Sequence, residues 1–295
     1  MLITPLPGTD RRNVRQSLAY VLEKTTNLHH FSGEPDELCV SYLHWSAEMT
    51  AHLRGQLAAR DIDRLILTRR HWALQQIIGS TTFGLPRSPK IAGVAHIVRM
   101  ELREREDDLK QAIETFEHQV QNWSGLGHFV VADSSFFIQH TDRFDKTDFG
   151  ALVEAREFEA VHLLFPMVVV DELDSLKQHG KSHARWRAGH TLAVLDGLLS
   201  SSTRGVFHAR GRAGADGQIA VRDVTVEIVL DPPGHTRLPI NDDEIIDRAK
   251  AIEALAARPV KLLTYDTGQA TRGRQADLQV RKLRTELPAE EPPRT

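Results

Sequence analysis

Short apolar segments in the second half of the chain end in acidic residues. Residues 129–132 come directly before Asp133, the run FPMVVV comes before Asp171 and Glu172, and VKLLTY comes before Asp266. Apolar segments of this length, separated by helical patterns, predict buried strands in an α/β fold with a mainly parallel sheet. Ligands bind outside the carboxyl ends of the strands in such sheets, so we expect these acids to meet at one edge.

A further acidic pair stands at the start of a predicted helix. The segment VTVEIVL alternates in polarity and predicts another strand, and NDDEIIDRAKAIEAL then predicts a helix with Asp242 and Asp243 in its first turn. Gathered carboxylates repel and raise one another's pKa, so the cluster requires a compensating cation. Ligation by oxygen alone favours Mg²⁺ or Mn²⁺, whose bound waters are activated beside a phosphate.

The first half of the chain has helical periodicity instead. Helices are predicted over residues 36–60, 61–78 and 91–123, with the second ending at Gly79. The sequence thus predicts a helical domain over residues 1–124, a three-layer α/β/α sandwich over residues 125–284 and a flexible tail over residues 285–295.

Composition excludes several classes of protein. No apolar run approaches the ~20 residues that span a bilayer, and we expect a soluble cytoplasmic protein without a membrane partner. The single cysteine among 295 residues excludes an intramolecular disulfide framework, and without HExxH it leaves no recognisable zinc ligand set. The net charge of −3 combines 37 basic and 40 acidic side chains, so a nucleic-acid surface requires local clustering of cations.

Such a cluster follows the second acidic position. The segment KQHGKSHARWRAGH interleaves cations with Trp186, a combination suited to phosphate contacts and base stacking, and two more arginines follow Asp266. The candidate nucleic-acid-binding residues are Lys177, Lys181, Arg185, Arg187 and Arg272, with Arg274 beside them. For any one of them, a solvated helix face is the alternative explanation.

Taken in order, VVADSSFF, FPMVVVDELDSLK, NDDEIIDRA and LLTYDTGQATR resemble the motifs of the PIN domain family of metal-dependent nucleases. The likeness is to the branch with an ELD-x-LK second motif. The family's Asp-Thr-Asn-type tripeptide falls on Asp133-Ser134-Ser135, which keeps the aspartate and a hydroxyl but lacks the amide.

The resemblance also assigns the other acids. The second falls on Glu172, with Asp171 beside it, and the fourth falls on Asp266, preceded by Thr264 where the family has Thr or Ser. The third falls on Asp242, judged by its distance from Ala249, with Asp243 as a near-equal choice. The resemblance implies that four acids are catalytic and hold Mg²⁺ or Mn²⁺, namely Asp133, Glu172, Asp242 and Asp266. Asp243 is an alternative ligand, and Ser134, Asp171 and Thr264 are supporting residues.

The implied activity is hydrolysis of RNA phosphodiesters, leaving a 5′-phosphate and a 3′-hydroxyl, with the N-terminal helices serving oligomerisation or substrate selection. A non-catalytic PIN-like scaffold that binds RNA or protein is one alternative, because the tripeptide is altered. A small-molecule phosphatase is another, although Asp133-Ser134-Ser135 lacks the second Asp of a D-x-D motif. Each strand-end Asp, taken alone, is also a plausible helix cap.

Overall fold

The computed structural model describes residues 3–6, 8–80, 89–125, 127–200, 202–211, 222–231 and 235–284. The chain divides into two units. Met1–Ser124 together with Ala254–Ala257 form the first, and Gly125–Glu253 together with Arg258–Thr295 form the second. The predicted tail, residues 285–295, lies outside the described residues.

The first unit is helical, as predicted. Its helices are α1 (Arg11–His29), α2 (Pro35–Leu53), α3 (Ala59–Leu65), α4 (Arg69–Ile78) and α5 (Pro89–Asn122). The long helix α5 packs against α1 and α2, and the core between them includes Leu18, Tyr42, Met49 and Phe116. The single cysteine, Cys39, lies in this core, where burial raises the pKa of its thiol to about 11.

Two helix boundaries in this unit differ from the prediction. The helix predicted over residues 36–60 ends at Leu53, and the one predicted over residues 61–78 is divided into α3 and α4. Thr68 causes the second break, because its hydroxyl accepts the backbone N–H of His71 (3.1 Å) and so caps α4. The same hydroxyl donates to the buried Glu101 on α5 (2.7 Å), which fixes the start of α4 against that helix.

The second unit is built on a six-stranded sheet in the order β3-β4-β2-β1-β5-β6. The strands are β1 (His128–Ala132), β2 (Val161–Pro166), β3 (Arg204–His208), β4 (Val224–Val229), β5 (Val260–Thr264) and β6 (Gln279–Lys282). All neighbouring strands are parallel except β3 and β4. This arrangement confirms the predicted mainly parallel sheet.

Helices flank the sheet. They are α6 (Ser134–Gln139), α7 (Phe149–Leu152), α8 (Met167–His179), α9 (Ser182–Leu198), α10 (Asn241–Ala256) and α11 (Thr267–Gln275), with a 3₁₀ turn at Phe144–Lys146. Parallel neighbours β1, β2 and β5 are each followed at once by a helix, so α6, α8 and α11 all begin at the carboxyl edge of the sheet.

The prediction that the second strand runs up to Asp171 is wrong. Strand β2 ends at Pro166, and MVVVDELD belongs to α8. Val169 and Leu173 are both fully buried, and this spacing of four residues is that of one helix face. A short run of buried β-branched residues has the same apolar pattern in a strand and in a helix, so Pro166 decides where the strand ends.

Candidate active site

Asp133 lies where β1 passes into α6. It is 4% exposed, and its Oδ1 caps α6 by accepting the backbone N–H of Phe136 (3.0 Å). Oδ1 also accepts the Ser135 hydroxyl (2.7 Å), and Oδ2 accepts the Thr264 hydroxyl (2.5 Å). Among the described residues, no Lys or Arg pairs with this carboxylate, so it is buried with neutral donors alone.

The electrostatics of Asp133 follow from this environment. Burial raises the pKa of Asp133 to about 6, against the opposing effect of the hydrogen bonds from Thr264, Ser135 and the Phe136 N–H. The negative charge of Glu172 adds to the rise. Asp133 and Glu172 therefore lie close enough to repel, although they are 39 positions apart in the sequence (172 minus 133).

Glu172 reaches this edge from α8 and not from a strand end. It is half-buried, and its Oε1 accepts the side-chain amide of Asn241 (2.8 Å), the first residue of α10. Asp171 is directed elsewhere, because it pairs with Arg237, which also pairs with Asp231. The sequence did not single out Asn241, although it stands beside the predicted acidic pair.

Asp242 and Asp243 lie in the first turn of α10, and both are paired with Arg272 of α11. Arg272 Nη1 is 3.1 Å from Asp242 Oδ2, and its Nε is 3.1 Å from Asp243 Oδ1. Burial raises the pKa of Asp242, Arg272 lowers it, and the charges of Asp266 and Asp243 raise it, with a net upward shift. The structure thus places Arg272, predicted as a nucleic-acid contact, among the acids.

Asp266 follows β5 and caps α11. Its Oδ1 accepts the backbone N–H of Gln269 (2.8 Å), and its own N–H donates to the Thr264 hydroxyl (2.8 Å). The side-chain amide of Gln269 lies beside Asp242, and with its nitrogen assigned to that side it donates to Asp242 Oδ1 (3.2 Å). Gln269 is fully buried, so Asp242 and Asp266 are both held by a fixed residue.

These contacts form a closed circuit around one rim of the sheet. Hydrogen bonds connect Asp133 to Thr264, Thr264 to Asp266, Asp266 to Gln269 and Gln269 to Asp242. Asn241, next to Asp242 in the chain, donates to Glu172, and the charge of Glu172 acts on Asp133. Ser135 braces it by accepting the Tyr265 N–H (3.0 Å) while donating to Asp133. A serine two residues after a strand-end Asp is the available sequence signal for this role.

The oxygens of these acids are not drawn into one tight cluster. Within the described ranges, the one group of three or more ligand-type residues with all ligand atoms within 4.8 Å of one another is His235, Glu244 and Asp247. That group already has a cation, since Arg248 lies 3.3 Å from Glu244 and also pairs with Asp247. The acids of the circuit carry less compensating charge, and Asp133 has none from a Lys or Arg that the structure describes.

The predicted basic residues separate into exposed and buried members. Lys177, Lys181 and Arg185 are exposed on α8 and α9 or between them. Arg187 is 5% exposed and donates to the carbonyl oxygens of Phe137 (3.0 Å), His140 (2.7 Å) and Asp142 (2.6 Å). The prediction that Arg187 contacts nucleic acid does not agree with this position, because the side chain is buried and its Nε and Nη2 donate to the protein.

The mainly parallel sheet with its flanking helices is consistent with a PIN-like α/β fold. The model of the PIN domain family matches residues 130–284, more than half of the chain, and the chain belongs to this family. PIN domains are generally divalent-metal-dependent nucleases. A comparison with curated proteins finds no match.

No helix in the described part of the chain has both the length and the apolar character needed to cross a membrane.

Proposed function

We propose that the second unit is a Mg²⁺- or Mn²⁺-dependent endoribonuclease of the PIN branch with an ELD-x-LK second motif. The observation that carries the proposal is the environment of Asp133. A carboxylate that is 4% exposed, repelled by Glu172 and bonded to neutral groups alone is poorly compensated in the protein as it stands. A bound divalent cation supplies the missing charge.

The donor set fits such an ion. Charge couples Asp133 with Glu172 and Asp242 with Asp266, hydrogen bonds connect the two pairs, and hard cations prefer oxygen ligands. Ligation through intervening waters suits oxygens that are not in direct contact, because Mg²⁺ usually keeps several of its waters. Asp242 is the better third ligand, because it lies beside Gln269 and its pKa is raised by the charge of Asp266, whereas the Asp243 carboxylate pairs with Arg272.

The chain's own residues prepare the site for hydrolysis. Thr264 and Ser135 hold both oxygens of Asp133 in one orientation, and Asn241 holds Glu172. A divalent ion bound there lowers the pKa of a water and neutralises charge on the leaving oxygen. Lys177, Lys181 and Arg185 offer exposed positive charge for the phosphate backbone. The helical unit serves oligomerisation or substrate selection in this proposal.

A non-catalytic PIN-like binding scaffold is the second candidate. The ion pairs of Arg272 with Asp242 and Asp243 favour it, because a protein cation already neutralises the third acidic position. The tripeptide without its amide also favours it. The two candidates differ in one respect, since the scaffold binds RNA without cleaving it.

The test is cleavage of a single-stranded RNA oligonucleotide by the full chain with Mn²⁺, Mg²⁺ or a chelator. We expect cleavage with either ion, products with a 5′-phosphate and a 3′-hydroxyl, and none with the chelator. Cleavage that persists in the chelator contradicts the metal mechanism. Binding without cleavage under all conditions supports the scaffold. Faster cleavage of a DNA oligonucleotide of the same sequence shows that DNA is the preferred substrate.

The choice between Asp242 and Asp243 gives a second prediction, measured as Mn²⁺ affinity by titration calorimetry. Asp242→Asn is expected to weaken binding by about tenfold or more, since even residues that only orient ligands have effects of this size. Asp243→Asn is the matched control, because it removes the same charge one residue away and also contacts Arg272. A larger loss in Asp243→Asn would reverse the assignment.

A further inference from the structure

Trp186 is an exposed aromatic residue held in one orientation. Its side chain stands on α9 with 54% of the residue exposed, and its ring is parallel to that of His190 (interplanar angle 2°, centroids 5.3 Å apart). His190 Nε2 lies 2.8 Å from Asp145 Oδ1, and Asp145 also pairs with Arg143 (3.0 Å). The imidazole is thus anchored, and it supports one face of the indole.

Hydrogen bonds connect α9, the helix that carries Trp186, to the residues around Asp133. The next residue, Arg187, donates to the His140 carbonyl (2.7 Å), and His140 Nδ1 lies 3.0 Å from the Tyr265 hydroxyl. The Tyr265 N–H donates to Ser135, which donates to Asp133. A continuous series of hydrogen bonds therefore fixes the start of α9 relative to the catalytic rim.

Exposed cations lie on α8 and α9 near Trp186 in the sequence. Arg185 directly precedes Trp186, and Lys181 stands at the start of α9. The stem of Lys177 reaches α9 one turn further on, because a Cβ built at Gly189 would lie 3.8 Å from Lys177 Cγ. Cations beside an exposed aromatic ring are the combination by which proteins hold single strands, with phosphates on the cations and bases on the ring.

We propose that Trp186, oriented by His190, is a stacking site for an unpaired nucleobase of the nucleic acid that the second unit acts on. The inference rests on the proposed function, because it names a residue that contacts the substrate of this nuclease. Every base has an aromatic face, so the contact is tolerant of sequence, whereas bases within a duplex are already stacked.

The test compares Trp186→Ala with Trp72→Ala in the full chain with Mn²⁺ replaced by Ca²⁺ to limit cleavage. Trp72 is a matched control, since it is also exposed (51%) but stands on α4 of the helical unit, where its ring meets His71 at 69°. The probes are a uridine 12-mer and a blunt RNA duplex of the same length. Affinity is measured at several salt concentrations, and melting temperatures verify that each variant is folded.

We expect Trp186→Ala to weaken binding of the 12-mer about tenfold, within the range of single base-stacking contacts, with an unchanged salt slope and unchanged duplex affinity. Trp186→Phe should recover most of the loss, and Trp72→Ala should bind normally. The 12-mer should also quench indole fluorescence in the parent and less in Trp186→Phe.

Other outcomes overturn the inference in distinguishable ways. Equal affinity of Trp186→Ala and the parent removes the stacking site and leaves the nuclease proposal standing, and this face is then a candidate contact for protein. Equal losses of affinity for the 12-mer and the duplex show that Trp186 supports the fold and does not stack on a base. A parent protein that binds neither probe contradicts both the stacking site and the proposed function.

Discussion

Asp133→Asn is expected to lower the rate of RNA cleavage by about a thousandfold while making the metal-free protein more stable. The loss of rate follows from the loss of several kcal/mol of metal-assisted stabilisation, since each ~1.4 kcal/mol is tenfold in rate. The gain in stability follows from the raised pKa of Asp133, 3.8 in the ordinary state and about 6 in the folded protein. Cleavage assays and thermal unfolding measure the two effects.

The expected gain has a size and a pH range. A shift of about two pKa units corresponds to ~3 kcal/mol, and loss of the hydrogen bond from Thr264 offsets about 1 kcal/mol, so we expect roughly 1 to 2 kcal/mol at neutral pH. In the parent, the folded state holds the proton more tightly than the unfolded state does. Stability from this group is therefore present below pH 3.8 and is lost as the pH rises through about 6.

The stability of Asp133→Asn should lack this dependence on pH, and Mn²⁺ should stabilise the parent but not the variant. Asp171→Asn is the control, because Asp171 is an exposed acid paired with Arg237 and outside the circuit. It should leave the pH profile of the parent intact. Full cleavage activity in Asp133→Asn would remove Asp133 from the site, and a parent stability that is constant between pH 4 and 6 would contradict the pKa that burial raises at Asp133.

Arg187→Ala is expected to destabilise the second unit by about 3 kcal/mol. The substitution removes a buried guanidinium and leaves three carbonyl oxygens, those of Phe137, His140 and Asp142, without these donors. Unsatisfied buried groups cost ~1–3 kcal/mol each, less where water replaces the donor. Chemical denaturation of the full chain measures the effect.

Arg185→Ala is the matched control for Arg187→Ala. Arg185 is exposed two residues earlier on the same helix, so its loss should change stability by no more than ~0.5 kcal/mol. The same substitution should reduce the salt slope of RNA affinity by about 1. A pair of variants with equal stability would contradict the structural role of Arg187.

The contrast between Arg185 and Arg187 illustrates what the sequence conveys and what it does not. Residues two apart on a helix point to different faces, so the two arginines were not expected to share one environment. Arg187 shares its face with Thr191 and Leu195, both buried, and this spacing of four was a usable signal. Its partners, the carbonyls near residue 140, lie about 50 positions away and carry no sequence pattern.

The acids were predictable to different degrees. Asp133 and Asp266 follow true strands and cap the next helices, which is the local pattern that the sequence displays. Glu172 was singled out as an acid after a predicted strand and then by resemblance, but its position in α8 was not predicted, because a buried VVV run fits a strand and a helix equally well. The edge strands β3 and β6 escaped prediction, since RGVFH and QVRK are short and not clearly alternating in burial.

The ion pairs of Arg272 have a consequence for how the second unit folds. Two of the acids at the rim, Asp242 and Asp243, keep a positive partner supplied by the chain itself. Side chains of the protein itself therefore connect the start of α10 to α11, so in the proposed nuclease the approach of these two helices does not require the metal.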